Sequence, residues 1–140
     1  MGPPSESTFP TAEHGELTIR ALRADEAPEL VACVQRCYGD TYVDPGQYDS
    51  DAIARAIRDG RRHSLVAVTP DGAVVGHMGL TLRRIGDNTA DAGLTLVDPE
   101  YRGRGLSRAL GMALGRKGAA LGLVATLLVT ALLVLPLVAY

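Results

Sequence analysis

The spacing of apolar residues changes period several times along the chain, and each change marks an element. Leu17, Ile19 and Ala21 alternate with polar residues, predicting a short strand over 16–21. Asp25 is placed to cap a helix whose first turn holds Glu26, Pro28 and Glu29. Leu30, Val31, Cys33, Val34 and Cys37 fall on one face of that helix, and Gly39 can end it. A loop rich in Tyr, Asp, Pro and Gly follows, from Tyr38 to Asp49. Ser50 is placed to cap a second helix with Ile53, Ala56 and Ile57 on one face, stopped by Gly60. Strand periodicity then takes over. Ser64–Thr69, the turn Pro70-Asp71-Gly72 and a long strand Ala73–Arg83 predict a hairpin. Gly86-Asp87-Asn88 is a further turn, and Thr89–Val97 completes a three-strand meander. The last helix carries Leu106, Leu110, Ala113 and Leu114 on one side. Gly111, Gly115 and Gly118 within it each cost about 1 kcal/mol against Ala, which predicts close packing there.

Two segments stand apart. Residues 1–15 are polar and Pro-rich and read as an unordered lead-in. Residues 118–140 carry no charge, with Thr126 and Thr130 as the only polar side chains. That length and composition meet the transmembrane criterion, and Arg116 and Lys117 would hold the folded part in the cytoplasm. The same segment also reads as the end of a domain cut short or shifted in frame, or as an ordinary packed segment, although Pro136 would trouble an inner strand.

At 140 residues the chain forms one domain, and an apolar content of 46% is enough for a core. A net charge of −2 excludes general nucleic-acid binding. Cys33 and Cys37, four apart on a helix, read as two small buried thiols, not a disulfide, and no metal-ligand spacing is present. No apolar stretch near the N-terminus resembles a signal peptide, so a cytoplasmic, reducing location is expected.

The densest chemistry lies in Val97-Asp98-Pro99-Glu100-Tyr101-Arg102-Gly103-Arg104-Gly105-Leu106-Ser107-Arg108. It reads as a strand end, a turn, a Gly/Arg loop and a helix start. Such a loop aims backbone N–H groups at one spot, where the helix N-terminus adds partial positive charge. With Arg102, Arg104 and Arg108 around it, the spot suits a phosphate or pyrophosphate. A nucleotide-binding module is a poor match, because Gly111–Lys117 lacks P-loop spacing and no Gly-x-Gly-x-x-Gly follows a first strand.

Taken with the element order, Arg102-Gly103-Arg104-Gly105-Leu106-Ser107 resembles the Gln/Arg-x-x-Gly-x-Gly/Ala motif of the GNAT family of N-acetyltransferases. Pro99 is also typical of it, while Ser107 departs from the final Gly/Ala. The likeness runs from about Leu17 to Lys117 and takes in the loop from Tyr38 to Tyr42 and the strand Val75-Gly76-His77. The resemblance implies an α/β (α+β) fold with a mixed central sheet flanked by helices and a cofactor loop between strand 89–97 and helix 105–117. It divides the chain into a tail (1–15), an acyl-CoA N-acyltransferase-like domain (16–118) and the apolar segment (119–140). After Lys117 the family's further strand and helix, with their Asn and Tyr, are not recognisable, so the chain looks truncated or divergent there.

By the same resemblance, acetyl-CoA is the co-substrate. The backbone of Gly103, Arg104, Gly105, Leu106, Ser107 and Arg108, with Arg102, would hold its pyrophosphate. Leu96 and Val97 would pair with the pantetheine amides as an added strand does. A small-molecule or peptide amine would attack the thioester directly. Asp91, eleven residues before Arg102, falls where some members carry a catalytic carboxylate; it also reads as a solvated strand-end acid. His77 is a second candidate near the site or a structural histidine. Tyr38 and Tyr42 would line the substrate cleft or pack the loop, and residues 38–49 would shape the acceptor pocket. The rival function is a non-catalytic or membrane-tethered relative that keeps the fold without turnover. Membrane contact through 119–140 and a homodimer completed at the last strand are the remaining partner expectations.

Overall fold

The computed structural model describes residues 6–11, 15–84 and 88–122. Five strands, β1 (Ser7–Thr11), β2 (Gly15–Ala21), β3 (Arg62–Val68), β4 (Val74–Leu82) and β5 (Ala90–Val97), form one sheet in chain order. Every neighbouring pair is antiparallel. Three helices flank it: α1 (Ala27–Tyr38), α2 (Ser50–Arg58) and α3 (Leu106–Ala120). Strand alternation divides the apolar residues between two faces. Leu65 and Ala67 pack toward α3 with Leu106, Leu110 and Leu114. Val66 and Val68 pack toward α1 and α2 with Leu30, Val34 and Ile53. At about 25 cal/mol per Å² of apolar surface, these two buried layers are the main stabilising force.

Several boundaries differ from the sequence expectation. Residues 7–11 are not an unordered lead-in: they form β1, in register with β2 from Ser7↔Ile19 to Thr11↔Gly15. Phe9 packs against the core beneath, and Pro10 is tolerated because an edge strand has one unpaired side. Glu26, not Asp25, precedes α1 after a short 3-10 turn, and its carboxylate accepts from the Arg23 amide and from Arg20. Asp49, not Ser50, caps α2 by accepting from the Ala52 amide at 3.0 Å, a bond that contributes about 1 kcal/mol. The strand expected from Ser64 begins two residues earlier, at Arg62, and α3 runs past Lys117 to Ala120.

Two of the α3 glycines, Gly111 and Gly118, face the sheet at ordinary contact distances. A Cβ at Gly111 would lie 3.7 Å from Met78 Sδ, and one at Gly118 3.6 Å from Leu80 Cδ1. Across the interface, Gly76 of β4 meets Leu110 Cδ1 and Leu106 Cδ2, which a Cβ would approach to 3.0 and 3.2 Å. The start of α3 is thereby seated on the sheet beside the end of β5. The sheet, expected to be mixed, is antiparallel throughout among the described residues, and the segment expected as a membrane helix or truncated end lies outside them from residue 123 on. Among the described residues, no helix is long and apolar enough to cross a membrane.

Candidate active site

The pairing of β4 with β5 is broken at one place. His77 faces Leu96, yet Gly79 faces Gly93, so β5 spends one residue more than β4 between the two pairs. The extra residue is a bulge, and Leu94 carries it at φ 52, the only positive φ outside glycine among the described residues. The bulge reverses the alternation of β5. Ala90 and Ala92 pack on the α3 side, whereas Leu94 and Leu96 pack on the α1/α2 side.

His77 holds this bulge. Its Nδ1 donates to the Leu94 carbonyl at 2.6 Å, which leaves Nε2 as an acceptor for Ser64 Oγ at 2.8 Å. Arg62 Nε donates to Ser64 Oγ at 2.9 Å, Arg62 Nη1 donates to Gln47 Oε1 at 2.9 Å, and Arg62 Nη2 lies 3.4 Å from His77 Nε2. The result is a one-way relay of donors from Arg62 through Ser64 and His77 to the bulge. The imidazole is fully buried, and desolvation, aided by the nearby Arg62 charge, pushes its pKa down to about 3. It is neutral at physiological pH. His77, expected as a site residue or a structural one, lines the cavity and also holds the strand beneath it.

A cavity of about 340 Å³ opens above this relay. The loop between α1 and α2 forms one wall through Tyr42, Asp44 and Gln47; Arg62, Gly93 and Asp91 are on the other. Tyr42 packs edge-on to Tyr38, with ring centroids 4.9 Å apart. Tyr42 lines the cavity, while Tyr38 sits against the α1/α2 core. The Tyr48 hydroxyl accepts from the Tyr42 amide and donates to the Gly39 carbonyl, which fixes the fold of this loop. Asp91 stands at the exposed rim, 3.4 Å from Arg83.

At the far end of β5 lies the Gly/Arg loop. Asp98 is buried, accepts from the Glu100 amide at 3.1 Å and pairs with Arg36 of α1 at 2.7 Å. Arg36 also donates to the Val74 carbonyl, so α1, β4 and the loop entrance are tied together. Arg102 turns back, its Nε donating to the Val97 carbonyl at 2.9 Å. Cys37 Sγ donates to the same carbonyl at 3.5 Å. Gly103 (φ 77) and Gly105 (φ 83) take left-handed conformations, which a residue with a Cβ adopts only at a cost of about 1–2 kcal/mol. Their turns bring the chain into the first turn of α3, whose N–H groups have no intrahelical acceptor. Leu106 buries its side chain wholly in the core; Arg104 and Arg108 are exposed and Ser107 half-buried. Leu96 is buried opposite His77. Arg62, Ser64, Gln47 and the Leu94 bulge were not singled out from the sequence. The one available signal was a polar Arg-x-Ser alternation leading into the apolar run of β3.

Residues 20–133 match the model of the acetyltransferase (GNAT) family, and the chain belongs to that family. No curated protein matches it. Among solved structures, it is similar to an acetyltransferase of Trypanosoma brucei (24% identity, 76% of this chain and 78% of that chain, TM-score 0.59). It is similar also to the PaiA N-acetyltransferase of Thermoplasma acidophilum in complex with coenzyme A (17%, 76% and 74%, TM-score 0.60). A GNAT family acetyltransferase of Brucella melitensis in complex with acetyl-CoA is 26% identical over 76% of this chain and 71% of that one, with TM-score 0.55. The five-strand antiparallel sheet with flanking helices is the fold these structures share with it.

Proposed function

We propose that this chain transfers an acetyl group from acetyl-CoA to an amine by direct attack on the thioester. The observation that carries the reading is the break in β4–β5 pairing at Leu94, set between the Gly/Arg loop and the cavity. Acetyl-CoA laid along β5 would have its pyrophosphate at Gly103–Arg108 and its thioester at the bulge, with the cavity open to an acceptor. A nucleotide held by the loop alone would leave that cavity unused. The structures similar to this chain that hold coenzyme A or acetyl-CoA support the choice of co-substrate.

In this reaction the amine nitrogen forms a bond to the acetyl carbon and the C–S bond breaks. The thiolate leaves and takes up a proton, while the new ammonium loses one. Asp91 at the rim is the acceptor of that proton. A rigid strand and loop contribute by placing the reacting atoms in line, where orientation lowers the barrier. Calorimetric titration of acetyl-CoA into the 140-residue chain, followed by thiol release with a panel of amines, tests the proposal. Micromolar saturable binding and amine-dependent thiol release are expected. A folded chain that binds no acetyl-CoA would overturn it and favour the non-catalytic relative.

A further inference from the structure

Arg20, Arg36 and Arg62 each reach across the fold to hydrogen-bond partners, and two of them have a carboxylate. Arg20 makes a two-point contact with Glu26 at 2.8 and 2.7 Å. Arg36 pairs with Asp98 at 2.7 Å. Arg62 is more buried than either, only 8% exposed, and no carboxylate among the described residues stands close enough to pair with it. Its partners are the neutral Ser64, Gln47 and His77, which occupy three of the guanidinium's five N–H groups. Asp44 acts on it without touching it: its charge is near enough to favour the guanidinium, but its Oδ2 accepts from Gln47 Nε2 and its Oδ1 from the Gly46 amide. A buried charge lacking its counter-charge is costly. Desolvation is the cause that brings the Arg62 pKa down to about 10.

The guanidinium lines the acceptor cavity, so its missing partner has a place to bind. We propose that the acceptor amine carries a carboxylate, and that Arg62 receives this carboxylate on the floor of the cavity. The inference rests on the acetyltransferase reading and names its substrate class: a small amino acid or similar aminocarboxylate. The planar fork of Arg suits a carboxylate geometrically. The charges of the cavity argue for a zwitterion over a phosphate ester. Asp44 and Asp91 lie on the same lining, and they would attract the ammonium end of an aminocarboxylate while opposing a dianion. A volume of about 340 Å³ admits a small molecule of this kind. Gly93 lines it with open space where a side chain would stand, beside the bulge.

The test reads Arg62 directly. In the full chain, the guanidinium ¹⁵N–¹H signals of Arg62, assigned by their loss in Arg62→Lys, are followed while acetate, propionate and the matching amides are added. The titration is done with and without saturating coenzyme A. Saturable shifts with the carboxylates and none with the amides are expected, with the exposed Arg23 as an internal control. No saturable shift, or equal shifts with amides, overturns the proposal. Because the signal does not need turnover, a chain that fails to bind acetyl-CoA would sink the enzyme reading and still report on the anion site. Where turnover is found, each amino acid is compared with its decarboxylated amine. The acid is expected to be favoured at least about tenfold in kcat/KM. Arg62→Gln should abolish that preference and Arg62→Lys retain part of it. Equal use of both by the wild type overturns the proposal.

Discussion

The Nδ1 of His77 donates to the carbonyl of Leu94 across 2.6 Å, and this bond joins an ordinary strand to the one irregular point of its neighbour. Leu94 holds a left-handed conformation that costs a branched residue about 1–2 kcal/mol, so something must hold it. Replacing His77 by Phe keeps a planar ring, slightly larger, but strands the Leu94 carbonyl and the Ser64 hydroxyl. We expect a loss of about 2–4 kcal/mol in urea unfolding, together with weaker acetyl-CoA binding. A variant as stable and as tight-binding as the wild type would show that the bulge holds itself.

The same residue predicts an acid sensitivity. In the unfolded chain a histidine titrates near 6.5, and in the fold His77 titrates at about 3. Between those values the unfolded state binds a proton that the folded state does not. Its contribution is therefore complete above pH 6.5 and is lost as pH falls toward 3. Urea midpoints at pH 7, 5.5 and 4.5 should fall more steeply for the wild type than for His77→Phe. Parallel slopes would assign the sensitivity elsewhere.

Asp91 stands on the cavity rim beside Arg83, where an amine could deliver a proton. Asp91→Asn preserves shape and removes basicity. We expect kcat to drop about 100-fold with acetyl-CoA affinity unchanged by calorimetry. An unaltered kcat would make Asp91 a solvated carboxylate and nothing more.

Gly105 has φ 83 and open space where a Cβ would go. Its requirement is thus conformational, not steric. Gly105→Ala should cost about 1–2 kcal/mol of stability and weaken acetyl-CoA binding through a misplaced loop. Equal stability and affinity in the alanine variant would contradict the left-handed geometry.

Cys37 is half-buried next to the Val97 carbonyl. The neighbouring Cys33 thiol donates to it and Arg102 adds positive charge, which together lower its pKa and raise that of Cys33. Iodoacetamide should label Cys37 before Cys33, and more slowly in Arg102→Ala; peptide mass spectrometry reads both. Faster labelling of Cys33 would reverse the assignment.

What could be read from the chain and what could not divide along physical lines. The meander over β3, β4 and β5 was legible because alternation over seven to nine residues is a strong signal. The Gly/Arg loop was legible because few sequences place two glycines and two arginines between a strand and a helix, with a third arginine in the helix's first turn. β1 was missed because five residues with a proline carry almost no periodic signal. The bulge at Leu94 leaves no trace because Ala90, Ala92, Leu94 and Leu96 keep one unbroken alternation in the sequence, while the fold sends the first two and the last two to opposite faces. Arg62 was passed over because a charged residue at the head of an apolar run marks the end of a strand in most sequences. Its burial is decided by Ser64, His77 and Gln47, which only the fold brings together.

The His77 ring lies over Gly79, and a Cβ at Gly79 would come within 2.9 Å of its Cε1. The two positions are therefore a single unit of change. Alanine at 79 is closed to the chain while histidine stands at 77, and opens only once a smaller side chain has replaced it. The order of substitutions then matters: drift must pass through position 77 first, and a chain that has lost the histidine and filled the glycine cannot return by one step.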